Sequence, residues 1–176
     1  MFFRDIDEDT RIALTIPQYA EELFALVDAN RAFLKQWLPW LDKVQTAEDT
    51  RSFILNQLER FRRQEALHVT ILHQGRIAGV LGYNRIDPES RIGYVGYWLG
   101  KTYTGSGIMT HCVSNLIDLG SEYFDLQRMD IRCAVDNVKS RAIPERLGFI
   151  QEGVLKNAEK LYDRYVDHVV YGRVTS

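Results

Sequence analysis

Three strand-like segments follow one another with almost no chain between them: HVTILH (68 to 73), IAGVLGY (77 to 83) and IGYVGYWLG (92 to 100). The turn HQGR joins the first two and DPES joins the second to the third. Connections this short join antiparallel neighbours, because a parallel return needs a crossover of about a dozen residues or more. An antiparallel meander is therefore expected at the centre of the chain.

On either side of it the pattern alternates between helix and strand. IALTI (12 to 16) is short, β-branched and strand-like, and Pro17 then suits the first position of a helix with Ala20, Leu23, Phe24 and Val27 on one face. FLKQWLPWL (33 to 41) is broken at Pro39 and carries Phe33, Trp37 and Trp40 without a clean period. A second helix is expected to open at AEDT, with Glu48 and Asp49 in its first turn, and to run through Phe53, Ile54, Leu58 and Phe61. After the meander, Ile108, Cys112, Leu116 and Leu119 form a helical stripe. RMDIRCAV (128 to 135) alternates as a strand, SRAIPERLGF reads as a short helix closed by Gly148, and two strands are expected near 150 to 158 and 165 to 174. The fold class is mixed α/β, with hairpins, in one domain over residues 1–176.

Composition removes several function classes. The formal charge of −2, from 22 basic and 24 acidic residues, argues against a general polyanion binder or a basic membrane-surface protein. No apolar run approaches the roughly 20 residues of a membrane span, and MFFRDIDEDT lacks the regions of a signal peptide. Cys112 and Cys133 are too few for a disulfide scaffold and fall on apolar faces, which reads as reduced core thiols in a cytoplasmic protein. His68, His73, His111 and His168 have no metal-ligand spacing, so no metal site is expected.

YTGSGIMTHCV (103 to 113) carries the strongest local signal. Glycines let a backbone approach a ligand closely. A helix start behind them offers free N–H groups and the positive end of the helix dipole to an anion. A P-loop would need Lys then Ser or Thr after Gly107, where Ile108 and Met109 stand. A dinucleotide fingerprint would need glycine or alanine at Thr110. A plain tight turn is the competing reading of an isolated G-x-G. The strand before the loop, however, is punctuated by Gly93 and Gly96, which suggests a bulge or another extended group lying close. A ligand with a diphosphate and a long amide-bearing arm suits both features, and acyl-coenzyme A has that shape.

The blocks YWLGKTYTGSGIMTHCV, RCAVDNVKSRAIPERLGFIQEGVL and DHVVYG resemble the GNAT acetyltransferases, and within them the Rim-type branch that acetylates N-terminal α-amines of ribosomal proteins. The resemblance is strong from about Gly93 to Gly172, and FLKQWLPWL is also similar to this branch. It implies a mostly antiparallel sheet of about seven strands with flanking helices and a splayed acetyl-CoA cleft. The family's pyrophosphate loop opens on Gln or Arg; here the run is Thr102, Tyr103, Thr104, Gly105, Ser106, Gly107, so one side-chain contact is missing and the amide cradle remains.

Acetyl transfer needs a neutral attacking amine, donors for an oxyanion and help for a departing thiolate. The resemblance implies Glu159 as the base, directly or through water, against the alternative of a solvated strand carboxylate. It implies Ser140 as the hydrogen-bonding partner of the thiolate sulfur. Pro144 is most comfortable in a first helical turn, so Ser140 is also expected as the N-cap of a helix starting near Arg141. Asn137 is expected at the amide arm of coenzyme A, or simply in a turn, and Arg141 at a phosphate, or simply solvated. Backbone groups of Tyr97, Trp98 and Leu99 are expected to pair with the pantetheine arm and to supply an oxyanion donor. Thr104, Gly105, Ser106, Gly107, Ile108 and Met109 form the expected phosphate cradle. Trp37 and Trp40, with Tyr162 and Tyr165, are expected at the acceptor wall, against plain burial on the sheet. The implied partners are acetyl-CoA and a protein N-terminus or small amine, with no direct nucleic-acid or membrane partner and a possible homodimer. Small-amine acetylation (a polyamine, amino acid or drug) and a non-catalytic acyl-CoA sensor are the competing functions.

Overall fold

The computed structural model describes residues 2–175. Its strands are β1 (Phe3–Asp5), β2 (Thr10–Leu14), β3 (Leu67–His73), β4 (Arg76–Asp87), β5 (Ile92–Leu99), β6 (Arg128–Ala134), β7 (Ile150–Leu161) and β8 (Arg164–Val174). Its α-helices are α1 (Ala20–Ala29), α2 (Arg31–Lys35), α3 (Ala47–Arg62), α4 (Ile108–Phe124) and α5 (Val138–Arg146). One sheet holds all eight strands in the order β1-β2-β3-β4-β5-β6-β8-β7. Only the β5–β6 pair is parallel. The expected meander is β3-β4-β5. The expected seven strands become eight because Phe3–Asp5 adds to the edge beside β2.

The two faces of the sheet carry different helices. On one, α4 buries Cys112, Val113, Leu116 and Leu119 against Val69, Leu81, Tyr83, Met129 and Ile131. Tyr83 is fully buried and donates its hydroxyl to the Leu116 carbonyl at 2.7 Å. Glycine is required at position 120 of α4, since a Cβ there would overlap the Tyr83 ring and hydroxyl. Both cysteines are buried and free, and burial pushes the Cys112 thiol up to about 12. On the other face, α1 and α3 set Ala20, Leu23 and Ile54 on Ile77 and Val80. A capping box fixes the start of α3: Asp49 N–H donates to Thr46 Oγ1 at 3.1 Å, and Thr46 N–H donates back to the Asp49 carboxylate. Phe53, next to the fully buried Ile54, points away from the core and is 46% exposed. Its ring meets His68 edge-on at 5.2 Å.

His68 joins α3 to the sheet. Its Nδ1 lies 2.7 Å from Thr15 Oγ1, which in turn shares a hydrogen bond with Thr70. Burial disfavours the imidazolium and pushes the His68 pKa down from 6.5 to about 4. The unfolded chain therefore takes up this proton first as pH falls. The contribution of His68 to stability is complete above about 6.5 and is lost progressively down to about 4. Urea midpoints are expected to fall across that window. In His68→Gln this part of the fall should disappear, and an unchanged pH profile in the variant would remove the assignment.

Candidate active site

The site begins where two strands part. β5 pairs with β6 only from Ile92–Val95 against Arg128–Ile131. Beyond Val95, β5 stays with β4, Gly96 opposite Gly82 and Leu99 opposite Gly79. Beyond Ile131, β6 follows β8, Cys133 opposite Val169 and Ala134 opposite His168. The backbone from Gly96 to Leu99 thus has no ladder partner on its β6 side. A cleft of about 720 Å³ passes through this opening, lined by Gly96, Tyr97, Trp98, Cys133, Asn137, Ser140 and Glu159 among others. The side chain of Leu99 packs into the main core instead.

The glycine loop follows β5 directly, through a short 3-10 turn at Lys101–Tyr103, and does not line this cleft. Thr104 is tied down by its hydroxyl, which donates to the Lys101 carbonyl at 2.6 Å. Gly105 and Gly107 both take positive φ, +87° and +80°, and their Cβ positions look into open space. Gly107 caps α4 without any side chain, and no acidic residue sits in the first turn. The first amides of α4 are therefore uncovered by side chains. Ser106 is exposed. Met109 is buried in the core with Ile108 packed against it, so these two present backbone to the loop while their side chains anchor the helix.

Helix α5 starts three residues earlier than expected, at Val138, and Asn137 is its N-cap. The Ser140 N–H donates to Asn137 Oδ1 at 3.4 Å, so Ser140 is not the cap. Pro144 then lies inside the helix and leaves the carbonyl of Ser140 without its helical donor. The Tyr97 hydroxyl takes that place, donating to Ser140 O at 2.9 Å. The same hydroxyl accepts from Ser140 Oγ at 3.4 Å, and Ser140 Oγ lies 3.5 Å from Cys133 Sγ. Burial holds both Tyr97 and Cys133 protonated by pushing their pKa values up. The proline thus creates the acceptor that joins α5 to β5. The sequence reading gave Tyr97 only a backbone role and missed this contact. Arg141 is held inside the protein: its Nε donates to Tyr171 Oη and its Nη1 to the Val135 carbonyl, each at 2.9 Å. It does not line the cleft.

Glu159 reaches the cleft through an irregularity in the last hairpin. Leu155 pairs with His168 and Glu159 with Val166, so residues 156–158 face only Asp167. Asp167 holds this bulge, accepting from Asn157 N–H at 2.8 Å and pairing with Lys156 at 3.3 Å. The Asn157 amide is also the first cause that lowers the Asp167 pKa. Glu159 Oε1 consequently lies 3.7 Å from His168 Nε2, with both side chains only partly exposed. His168 had no assigned role in the sequence.

Trp37 and Trp40 both line the cleft. Trp37 packs on Ala134, Leu161 and Val166, and Trp40 lies 6.3 Å from Trp98. Tyr162 is not part of the lining: it stands behind the wall. Its hydroxyl donates to the Leu38 carbonyl at 2.6 Å and accepts from Leu41 N–H at 3.3 Å. Tyr165 is exposed and also lies off the cleft. The opposite wall is Phe53, His68 and Thr50, none of them singled out by motif. Asp130, 4% exposed, faces the cleft between Arg128 and Arg132 at 3.3 and 3.0 Å. Alternation in β6 was the available signal for it. Among the described residues no cluster of histidine, cysteine and acidic side chains fits a metal ion.

A family profile described as an acetyltransferase (GNAT) domain matches residues 11–150. The ribosomal-protein-serine acetyltransferase of Escherichia coli (strain K12) is 33% identical over 96% of this chain and 94% of its own length. A solved structure of RimL, the ribosomal L7/L12 alpha-N-protein acetyltransferase, in complex with coenzyme A superposes with a TM-score of 0.95 at 32% identity, covering 98% of this chain and 97% of that one. The microcin C7 self-immunity acetyltransferase MccE, in complex with acetyl-CoA and AMP, gives a TM-score of 0.92 at 34% identity over 97% and 94% of the two chains. With the parted strands and the glycine loop at the head of α4, these matches place the chain in the GNAT acetyltransferase family.

Proposed function

We propose that this protein transfers the acetyl group of acetyl-CoA to the N-terminal α-amine of a protein, with a ribosomal protein as the acceptor class. The observation that carries the reading is the open edge Gly96–Leu99, beside Ser140 and Glu159 in one cleft. An amide-bearing arm fits there as a surrogate strand, taking up backbone groups of Tyr97 to Leu99 that β6 abandons. The amides at Gly105 to Met109 receive the diphosphate, where two positive-φ glycines keep side chains out of the way. Asn137 has its Oδ1 committed to the helix cap, so its Nδ2 is the atom turned to the arm.

Acetyl-CoA supplies an activated thioester carbonyl. The amine nitrogen attacks it, the C–S bond breaks and the amine loses a proton. Glu159 accepts that proton, directly or through water, and His168 beside it orients the carboxylate. The sulfur leaves toward the Ser140 hydroxyl, whose position is set by Tyr97 and Cys133. A strand N–H of β5 serves the oxyanion. Trp37, Trp40 and Phe53 enclose the acceptor end.

Acetylation of a small amine is the second reading. It is favoured by the aromatic lining of the cleft and by the likeness to MccE, whose structure holds AMP as well as acetyl-CoA. For either acceptor a cytoplasmic location is proposed. No helix among the described residues is long and apolar enough to cross a membrane. Self-association is also proposed, through β7. This strand is the edge of the sheet, exposed along nearly its whole length, with Ile150, Val154 and Leu155 outward.

Thiol release from acetyl-CoA, measured with N-terminal ribosomal-protein peptides, free polyamines and amino acids, and no acceptor, separates the readings. Release with peptides alone is expected, and release with small amines alone would replace the first reading by the second. Glu159→Gln should lower turnover about a hundredfold or more at neutral pH while acetyl-CoA affinity stays unchanged; unaltered turnover would take Glu159 out of the chemistry. Gly107→Val places a β-branched residue at φ +80°. Calorimetric titration should show acetyl-CoA binding weakened by roughly tenfold or more, about 1.4 kcal/mol, and equal affinity would refute the cradle.

A further inference from the structure

β4 contains a bulge that the sequence YNRID does not announce. Tyr83 pairs with Val95 and Arg85 with Tyr94, which leaves Asn84 as the extra residue. The consequence is visible in the core. Tyr83 and Ile86, three apart, both enter the cluster under α4, so Asn84 and Arg85 are both turned to the other face. Arg85 stacks over the Tyr94 ring at 4.5 Å. The backbone of Asn84 is held by Arg60, whose Nη2 donates to its carbonyl at 2.9 Å.

The Asn84 carboxamide lies over Gly96, where any Cβ would overlap it. Among the described residues it has no hydrogen-bond partner, although its own backbone is fixed. It lines the same cleft as Glu159, Phe53 and Trp98. An asparagine side chain offers one acceptor and two donors in a plane. This exposed carboxamide, in a cleft also lined by Phe53, Tyr94 and Trp98, matches the polar half of one peptide unit.

We propose that Asn84 is a specificity-determining residue that hydrogen-bonds the first peptide group of the acceptor, with Gly96 providing the space its carboxamide occupies. The proposal rests on the N-terminal acceptor reading above. It explains how a protein N-terminus is told from a simple amine. Both bring an amine to Glu159, and only the former brings an amide to Asn84.

The test is steady-state kinetics at saturating acetyl-CoA. It uses a short peptide and the amino alcohol matching its first residue, which has the amine and side chain but no amide. Failure of the wild-type protein to acetylate the peptide would remove the N-terminal reading, and this inference with it. With wild-type peptide activity in hand, Asn84→Ala should lower kcat/KM for the peptide about tenfold, the loss of roughly one to two hydrogen bonds. Its kcat/KM for the amino alcohol and its acetyl-CoA affinity should be unchanged. Asn84→Leu keeps the branching at Cγ, leaves no gap and lacks the hydrogen bonds; it should behave alike, which separates recognition from a gap in the wall. An equal fall for both acceptors, or undiminished peptide activity in both variants, would overturn the assignment.

Discussion

The parting of β5 from β6 is the constraint on which the rest of the structure depends. Four residues of parallel pairing, Ile92–Val95 on Arg128–Ile131, hold the two halves of the sheet together. Past that point each strand has a firmer partner on its outer side, β4 for one and β8 for the other. Backbone groups left unpaired in a protein interior are costly, so an opening of this kind persists only where water or a ligand satisfies them. The protein spends no side chain on closing it. Instead α5 leans across from one face, joined to β5 by the Tyr97 hydroxyl on the carbonyl that Pro144 leaves free. The wedge is thus held open at a set width.

Two bulges then bring polar side chains into an opening that regular strands would line with alternating residues. In β7, three residues opposite Asp167 set Glu159 across from Val166, with its carboxylate 3.7 Å from His168 Nε2. In β4, the extra residue presents Asn84 over Gly96. Each bulge is held by a hydrogen bond, Asp167 on Asn157 across the hairpin and Arg60 of α3 on Asn84. Both sit beside the cleft rather than at a remote edge. Irregular pairing here aims side chains: the one extra residue in β4 turns Asn84 and Arg85 to the same face, and the two extra residues in β7 form the loop held by Asp167 before Glu159.

Much of the frame was legible in the sequence because it follows from local rules. Short turns dictated the β3-β4-β5 meander, the apolar stripe gave α4, and alternation gave β6. The family resemblance supplied the acetyl-CoA reading and the candidate residues. The misses have a common cause in contacts between distant segments. The three residues of β1 have no period of their own and are strand only because β2 is beside them. Pro144 suggested a helix start near Arg141. The observed start at Val138 is supported by the Asn137 cap and by Tyr97, 43 residues away from the orphaned carbonyl of Ser140. Phe53 lies next to Ile54 in a helix whose two faces meet different surroundings, and periodicity did not show that one of them looks into a cleft.

Tyr162 shows how the tryptophan wall and the Glu159 hairpin are made one unit. The segment from Gln36 to Trp40, between α2 and a 3-10 turn at Leu41–Lys43, has no regular structure, and Pro39 prevents it from continuing α2. Such a segment needs outside partners for its backbone. It finds them in the Tyr162 hydroxyl, which accepts from Leu41 N–H and donates to the Leu38 carbonyl. Lys35 lies over the same ring at 4.5 Å, and Trp37 packs against Leu161 and Val166. The hairpin that clamps the tryptophan wall is therefore the one that carries Glu159 and His168. Tyr162, outside the cleft, is consequently a support shared by the tryptophan wall and the Glu159 hairpin rather than part of the cleft surface.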